Sequence, residues 1–192
     1  MAYALEIGGT PKTVPGGTGI LLLHPSTGET DRIDTDFLKT DTDRFLVVST
    51  RTTAREVSQK LEYYDVDESC ADVLDTLSIE RGYSRRSKDH VSYVSAPDNV
   101  DGIVAGVADF LQRTDGKRRI SFDSLTELAY YAGEDEALSA AERILELLDA
   151  HDAIGLFHLS DEVHDQDVVD EFSALFDDVI DLDEDGTVES SF

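Results

Sequence analysis

Short apolar runs alternate with longer amphipathic stretches along most of this chain. The strand candidates cover residues 20–23, 45–48, 72–77, 90–94, 119–123, 153–158 and 179–182. Between them, residues 99–113 and 136–151 repeat apolar side chains at helical spacing. Short strands that alternate with helices predict βαβ units and a mainly parallel sheet. Ligands of such a sheet bind at the carboxyl ends of its strands.

The charge of the chain indicates the solvent for which it is suited. Asp and Glu number 42 against 16 Lys and Arg, which gives a net charge of −26, and the acids are spread along the chain. Molar salt shortens the Debye length to about 3 Å, so it screens the repulsion among these carboxylates. The even spacing therefore predicts a halophilic surface rather than one acidic binding face. Nucleic acid is not expected as a partner, because phosphate contacts require a basic surface.

Cysteine content and apolar runs indicate the compartment. Cys70 is the single cysteine, so no disulfide forms within the chain, which is compatible with a reducing cytoplasm. The first residues lack the basic and apolar regions of a signal peptide, and the apolar runs are too short to span a membrane. We therefore expect a cytoplasmic protein with one domain over residues 1–185, a short tail over residues 186–192, and no membrane contact.

One segment partly matches a phosphate-binding loop. That loop has the pattern G-x-x-x-x-G-K-[ST] between a strand and a helix. Residues 23–30 read L-H-P-S-T-G-E-T and follow a predicted strand. Gly28 and Thr30 match the pattern, whereas Leu23 replaces the first glycine and Glu29 replaces the lysine. By itself, this half-match is a weak signal.

The order of the remaining motifs resembles the RecA superfamily, and within it the KaiC-like branch that includes the archaellum motor ATPase. A Pro-Gly-rich turn at residues 15–19 enters the first strand, and residues 120–125, I-S-F-D-S-L, resemble a Walker B motif. A long helix, a buried strand and a closing strand follow, as in that branch. The resemblance covers residues 14–185. Small acidic proteins of this kind, without a complete Walker A motif, resemble haloarchaeal KaiC-like relatives. It implies a three-layer α/β fold, with helices flanking a mainly parallel central sheet.

The same resemblance implies a degenerate nucleotide site. Its residues are Ser26, Thr27, Gly28, Glu29, Thr30 and Asp123. In the family a lysine at position 29 offsets phosphate charge, whereas a carboxylate about 4 Å from a phosphate costs about 4 kcal/mol at an effective dielectric of about 20. The branch also places a water-activating glutamate pair after its second strand, and the matching residues here are Arg51 and Thr52. Thr30 and Asp123, which would hold Mg²⁺, are retained.

Three functions follow from these residues. The first is a non-catalytic regulatory or signalling module, without catalytic residues, cofactor or metal, that binds a protein partner or copies of itself. The alternative is a nucleotide switch or weak ATPase that binds ATP and Mg²⁺ through Gly28, Thr30 and Asp123. The third is a metal-dependent enzyme that uses the segment containing His158, Asp161, Glu162 and His164. Zinc sites need three or four closely spaced ligands, and proximity of such residues by chance is common in an acidic chain.

Several of these residues also have purely structural interpretations. Asp123 and Thr30 are equally suited to capping a turn or helix, and Glu29 to a solvated surface. A cation shared by Glu29 and Asp123 is disfavoured, because hard cations need more oxygen ligands than two residues supply. The basic loops at residues 81–88 and 117–119 are either a docking site for an acidic partner or solvated loops that neutralise nearby acids.

Overall fold

The computed structural model describes residues 1–26, 30–83 and 89–192. The strands are β1 (Ala2–Ala4), β2 (Thr13–Pro15), β3 (Gly19–His24), β4 (Arg44–Ser49), β5 (Ala71–Asp75), β6 (Val91–Tyr93), β7 (Arg118–Asp123), β8 (Ile154–Ser160), β9 (Asp178–Leu182) and β10 (Val188–Ser190). The helices are α1 (Asp31–Lys39), α2 (Ala54–Tyr63), α3 (Val100–Arg113), α4 (Leu125–Ala132), α5 (Glu134–His151) and α6 (Gln166–Leu175).

A central sheet of eight strands organises the molecule, in the order β10-β9-β3-β8-β7-β4-β5-β6. Every neighbouring pair from β9 to β6 is parallel, and only β10 runs antiparallel to its neighbour β9. Strands β1 and β2 form a separate antiparallel hairpin. The predicted α/β class with a mainly parallel sheet is confirmed.

Helices cover both faces of this sheet, which gives three layers. Successive strand residues point to opposite faces, so Ile120 and Phe122 of β7 pack into the core beneath α3, α4, α5 and α6. The opposite core contains Phe37 of α1, Leu61 of α2 and Tyr3 of the hairpin. Because both faces are buried, the central strands are apolar along most of their length, as their sequences indicated.

Helix starts follow the local signals in the sequence. At α2, the Glu56 Oε2 atom accepts a hydrogen bond from the backbone N–H of Thr53 at 2.8 Å, which forms a capping box across three residues. At α3, the Asn99 side chain accepts a hydrogen bond from the N–H of Gly102 at 3.0 Å. Each interaction satisfies a backbone donor that the first helical turn leaves without a partner.

The two ends of the chain differ from the sequence-based expectation. Strands β1 and β2 were not predicted, and residues 186–192 contribute β10 rather than the expected tail. Gly186, with a φ of +83°, lies in the turn that reverses the chain between β9 and β10. Strands β1 and β2 each bury a single side chain, Tyr3 or Val14, so neither carries an apolar run that periodicity could reveal.

The predicted basic loop at residues 117–119 is not a free loop. Lys117 forms an ion pair with Asp41, and the next two residues belong to β7 and are buried. The Arg118 guanidinium donates hydrogen bonds to backbone carbonyls at the ends of α3 and α5. These cations therefore stabilise the fold and are not available to a partner.

Arg119 fastens the hairpin to the sheet. Its side chain is fully buried and donates a 2.7 Å hydrogen bond to the carbonyl oxygen of Ala4 in β1. The guanidinium lies 5.5 Å from the ring centre of Tyr3 and 5.0 Å from that of Phe37, within cation–π range. Burial lowers the pKa of Arg119 to about 10, so the group remains charged at neutral pH.

Candidate functional site

The carboxyl ends of four central strands meet beneath helix α1. The chain leaves β3, passes through α1 and enters β4, while β8 and β7 lie between these two strands in the sheet. This connection places the ends of β3, β8, β7 and β4 side by side, at a point where ligands bind in open α/β sheets. The polar residues at this edge therefore form the candidate site.

The start of the predicted phosphate loop contacts the end of β8 and the loop that follows it. Ser26 is exposed; its hydroxyl lies 2.9 Å from that of Ser160, and its backbone N–H donates a 3.0 Å hydrogen bond to the Glu162 carboxylate. Thr27, Gly28 and Glu29 lie outside the described residues. The predicted effect of Glu29 on phosphate binding therefore remains a prediction.

Thr30 stands at the N-cap position of α1 and is buried. Its side chain makes no capping hydrogen bond, so the capping role considered for its hydroxyl is not found. Its carbonyl oxygen accepts the 3.0 Å hydrogen bond from the N–H of Asp34 that opens the helix. The strand, loop and helix are thus joined in the order that the phosphate-loop pattern requires.

An ion pair lies at the Walker B-like position. The Arg51 Nη2 atom is 3.0 Å from Oδ2 of Asp123, the last residue of β7. Arg51 follows β4, whose end pairs with the end of β7, so the sheet register brings the two residues together. The residue predicted to replace a water-activating glutamate therefore neutralises the retained metal-ligand candidate.

A second buried acid, Asp34 of α1, connects both sides of the site. The Lys60 ammonium of α2 lies 2.7 Å from Asp34 Oδ2, and His158 Nε2 of β8 lies 3.1 Å from Oδ1. The Ser121 hydroxyl of β7 donates to the same Oδ1 atom. Asp34 is completely buried, so these three partners take the place of water around its charge.

The opposite charges keep the acids ionised despite their burial. Burial raises the pKa of the Asp34 carboxyl, but Lys60 and His158 outweigh it and hold that pKa well below its usual range. For Asp123, burial again raises the pKa, and His158 and Arg51 lower it further than burial raises it. Burial lowers the pKa of Lys60, yet the nearby acids raise it above the ordinary lysine value. Two carboxylates and two cations therefore compensate each other within the site.

Two histidines line the same edge. His24 lies one residue beyond the predicted strand at residues 20–23, yet it is the last residue of β3 and is buried, and its ring centre lies 5.7 Å from that of His158. Burial lowers the pKa of His24, so its ring is neutral at pH 7. Among the described residues, His24 Nε2, His158 Nδ1 and Asp123 Oδ1 are buried atoms without a hydrogen-bond partner.

A cavity of about 270 Å³ adjoins this network. It is lined by Asp31, Arg51, Thr52, Glu56, Val57, Lys60 and Asp123. Pockets for small molecules commonly enclose about 300–1,000 Å³, so this one lies below the lower end of that range. It is a small polar cavity bordered by charges that are already paired.

The described residues do not fit the Mg²⁺ that the fold family implies. Magnesium requires a nearly octahedral shell of oxygen ligands, whereas one oxygen of Asp123 is bound to Arg51. The other two unpartnered atoms belong to imidazoles, which suit transition metals better than Mg²⁺. Across the described ranges, no group of three or more His, Cys, Asp or Glu side chains is arranged to hold a metal ion.

The acidic and histidine-rich segment after β8 does not converge on one centre. His158 faces Asp34, whereas His164 contacts Glu134 at 3.2 Å from its Nδ1 atom and a threonine hydroxyl from its Nε2 atom. Glu162 accepts the hydrogen bond from the loop amide described above. Three of the four predicted ligands of the metal-enzyme hypothesis, His158, Glu162 and His164, therefore have separate partners.

Sequence reasoning missed two central members of the site, Asp34 and Lys60. Both are on amphipathic helices in a chain with 42 acidic residues, where a single acid gives no signal. Ser121 and His158 did carry a signal, because each interrupts an apolar strand on the face that α1 covers. A polar residue at such a position requires a buried partner.

The whole chain matches the sequence profile of one protein family. The profile of a family of unknown function, DUF7090, matches residues 1–192. The chain belongs to DUF7090. No curated protein matches it. Membership covers the whole chain but supplies no activity.

Solved structures similar to this DUF7090 chain share its fold. KaiC-like protein PH0186 from Pyrococcus horikoshii has a TM-score of 0.65 at 14% identity, covering 94% of this chain and 82% of that protein. Uncharacterised protein PH0321 from the same organism, solved with an unknown peptide, has a TM-score of 0.65 at 15% identity, with 92% and 83% covered. At these identities the similarity establishes a RecA/KaiC-like fold and nothing further.

A bacterial ATPase shows the same fold within a longer chain. The type III secretion ATPase of pathogenic bacteria has a TM-score of 0.64 at 14% identity, covering 96% of this chain and 58% of that one. The chain thus spans just over half the length of that ATPase. The RecA/KaiC-like fold of phosphate-loop proteins predicted from the sequence is confirmed.

No described helix has the length and apolar character needed to cross a membrane.

Proposed function

We propose that this DUF7090 protein is a non-catalytic RecA/KaiC-like module that acts by binding another protein. The observation that carries the proposal is the 3.0 Å contact between Arg51 and Asp123. An arginine side chain occupies the carboxylate oxygen that a metal ion would need. Because both groups belong to the same chain, their interaction competes with any bound metal at no cost in association entropy.

The phosphate loop gives a second line of support. A phosphate-binding loop uses free backbone N–H groups to hold anionic oxygens. Here the N–H of Ser26 donates to the carboxylate of Glu162 at 3.0 Å. An acid of the chain itself thus occupies one amide that a phosphate would need.

The two cations that line the cavity with Asp123 are also unsuited to activate water. Phosphoryl transfer to water requires a residue that orients or deprotonates the nucleophile. Burial lowers the pKa of Arg51, but Asp123 raises it above the ordinary arginine value, so Arg51 is a permanent cation. Lys60 is likewise held charged by Asp34 and offers no basic lone pair at neutral pH.

We assign the protein to a salt-rich cytoplasm, in keeping with its net charge of −26.

Calorimetric titration with Mg-ATP in molar KCl, together with a phosphate-release assay, tests this function. We expect neither submillimolar binding nor turnover. Submillimolar binding accompanied by turnover would refute the proposal. Arg51→Met and Arg55→Met form a matched pair in this test, since both remove one arginine but only Arg51 contacts Asp123. Any gain of Mg-ATP binding should therefore be confined to Arg51→Met.

A nucleotide switch is the second candidate, because Asp123 Oδ1 is a buried acceptor with no partner among the described residues. In this function, Gly28, Thr30 and Asp123 would bind ATP with slow or partner-dependent hydrolysis. The variant Glu29→Lys restores the family's lysine. If the pocket is otherwise intact, the variant binds ATP more tightly than the wild type. No change in affinity would indicate a closed pocket and would favour the first function.

A further inference from the structure

A second and larger cavity borders the first one at Glu56. It has a volume of about 910 Å³ and lies between the first turns of α2 and the ends of β5 and β6. It is lined by Thr53, Ala54, Arg55, Glu56, Ser58, Gln59, Asp75, Ser78, Arg81, Tyr83, Val91 and Tyr93. We call it the Arg55–Arg81 groove, after the two cations in its lining.

These arginines are exceptional in a chain that is short of cations. Most described cations form ion pairs or donate to backbone carbonyls. Within the described parts of the chain, Lys12, Arg55 and Arg81 have no carboxylate at ion-pair distance, and all three are exposed. Two of these three line the same groove. With 42 acidic residues available, the absence of a partner for both at one place indicates a site open to an external anion.

The acids in the groove are already engaged. Asp75 is fully buried and accepts hydrogen bonds from the backbone N–H groups of Leu77 at 2.9 Å and Ser78 at 2.8 Å. It also accepts a 2.7 Å bond from the N–H of Ala54 at the start of α2. A carboxylate with this many internal donors is held in place by the fold. Asp75 therefore does not turn towards the arginines.

The other acid of the groove, Glu56, caps α2. Hydrogen bonds from Thr53 are the main cause that lowers the pKa of Glu56, and the charge of Arg81 adds a smaller effect. Arg81 is thus near Glu56 without forming an ion pair with it. Its guanidinium donors remain available for planar, two-point contact with another carboxylate.

Aromatic and apolar side chains complete the surface. Tyr83 is 54% exposed, and Val91 and Tyr93 lie beside it in the lining. Tyrosine and arginine together are enriched at the centres of protein interfaces, because each combines a large apolar surface with polar donors. The groove thus offers both charge contacts and apolar contact area.

We propose that the Arg55–Arg81 groove binds an acidic segment of another protein, with carboxylates beside an apolar side chain. Charge complementarity carries the assignment, since carboxylates would supply the missing partners of Arg55 and Arg81. A second copy of this chain is the competing occupant, and sedimentation distinguishes it in the experiment below. The inference rests on the proposed function and names the chemistry of its partner.

Fluorescence anisotropy with two labelled peptides tests the inference. One peptide alternates Asp or Glu with Phe, and the second has the same sequence with every acid replaced by its amide. Titrations at about 0.5 M KCl keep exposed charge pairs measurable while limiting long-range effects. We expect the acidic peptide to bind at least about tenfold more tightly than the amide peptide, a difference of about 1.4 kcal/mol.

A matched pair of double variants locates the binding. Arg55→Gln with Arg81→Gln removes both groove charges, whereas Lys12→Gln with Arg32→Gln removes the same charge from exposed positions elsewhere. We expect the first pair to weaken acidic-peptide binding about tenfold or more and the second to have little effect. Equal weakening by both pairs, or equal binding of the two peptides, would overturn the inference. The inference would also be overturned if sedimentation showed that the change in anisotropy comes from self-association of the protein.

The Mg-ATP titration separates this inference from the proposed function. Nucleotide binding concerns Asp123, and peptide binding concerns Arg55 and Arg81. If ATP is hydrolysed while the acidic peptide binds selectively, the proposed function is wrong and the groove assignment stands. If ATP does not bind and the peptide also fails to bind, the groove assignment alone is wrong. Thermal unfolding of each variant verifies that it is folded.

Discussion

Removal of the Asp34 carboxylate should destabilise the protein more than removal of any exposed acid. In Asp34→Ala, the ammonium of Lys60, which is 16% exposed, loses its 2.7 Å partner. His158 and Ser121 lose their contacts with the same carboxylate. Breaking a buried pair by removing one partner costs about 3–5 kcal/mol. For a chain of this size that corresponds to a fall in Tm of about 6–20 °C.

Equilibrium urea unfolding in molar KCl, followed by far-ultraviolet circular dichroism, measures this loss. Asp101→Ala is the control, because Asp101 is also ion-paired but its side chain is 89% exposed. The control should change the free energy of unfolding by no more than about 0.5 kcal/mol. Unfolding slopes should stay similar among variants, which would show that the exposed surface on unfolding is unchanged.

A double variant separates the cost of leaving the Lys60 charge without Asp34 from the cost of the lost packing. Asp34→Ala with Lys60→Met removes both members of the pair, so no ammonium is left with only its 3.8 Å contact to Asp31. We expect it to be more stable than Asp34→Ala alone by about 1 kcal/mol or more. A loss below about 1 kcal/mol in Asp34→Ala, or strictly additive losses in the double variant, would refute the view of Asp34 as the centre of a buried charge network.

Because the pKa of Asp34 is lowered by folding, the wild type should lose stability as the pH falls below about 4, and urea unfolding of Asp34→Asn at the same pH values should show a smaller loss. Glu56→Ala should lose about 1 kcal/mol in urea unfolding through loss of the capping box, whereas exposed Glu62→Ala should not. Gly155→Ala should lose about 1–3 kcal/mol, since an added Cβ would lie 2.7 Å from the ring of buried Phe157; unchanged stability would contradict this packing.

The sequence predicted the sheet and its flanking helices because those elements carry strong periodic signals. The strand at Gly19–His24 is buried at every residue, and α5 spans Glu134–His151 with an apolar stripe, so both were identified from the spacing of their apolar residues. The hairpin of β1 and β2 was missed because each of its strands buries only one side chain. Local patterns need more residues than that to rise above chance.

The site was predicted only where a motif existed. The contact between Arg51 and Asp123 could be anticipated in part, since both positions were identified through the family pattern. The link from Asp34 to Lys60 joins residues 26 positions apart on two helices, and no local signal connects them. Burial turns an ordinary acid into a network centre, and burial of one helical acid among many is a property of the tertiary structure.

The position of Arg119 means that the first residues of the chain cannot be treated as an appendage. A guanidinium enclosed by two rings and a main-chain oxygen has no route to solvent while the hairpin stays in place. Separation of the hairpin from the sheet would leave the Arg119 charge without its partners in the apolar core under α1. Opening of the hairpin and opening of β7 should therefore be coupled. The amide hydrogens of β1 should exchange with solvent as slowly as those of β7 in the centre of the sheet.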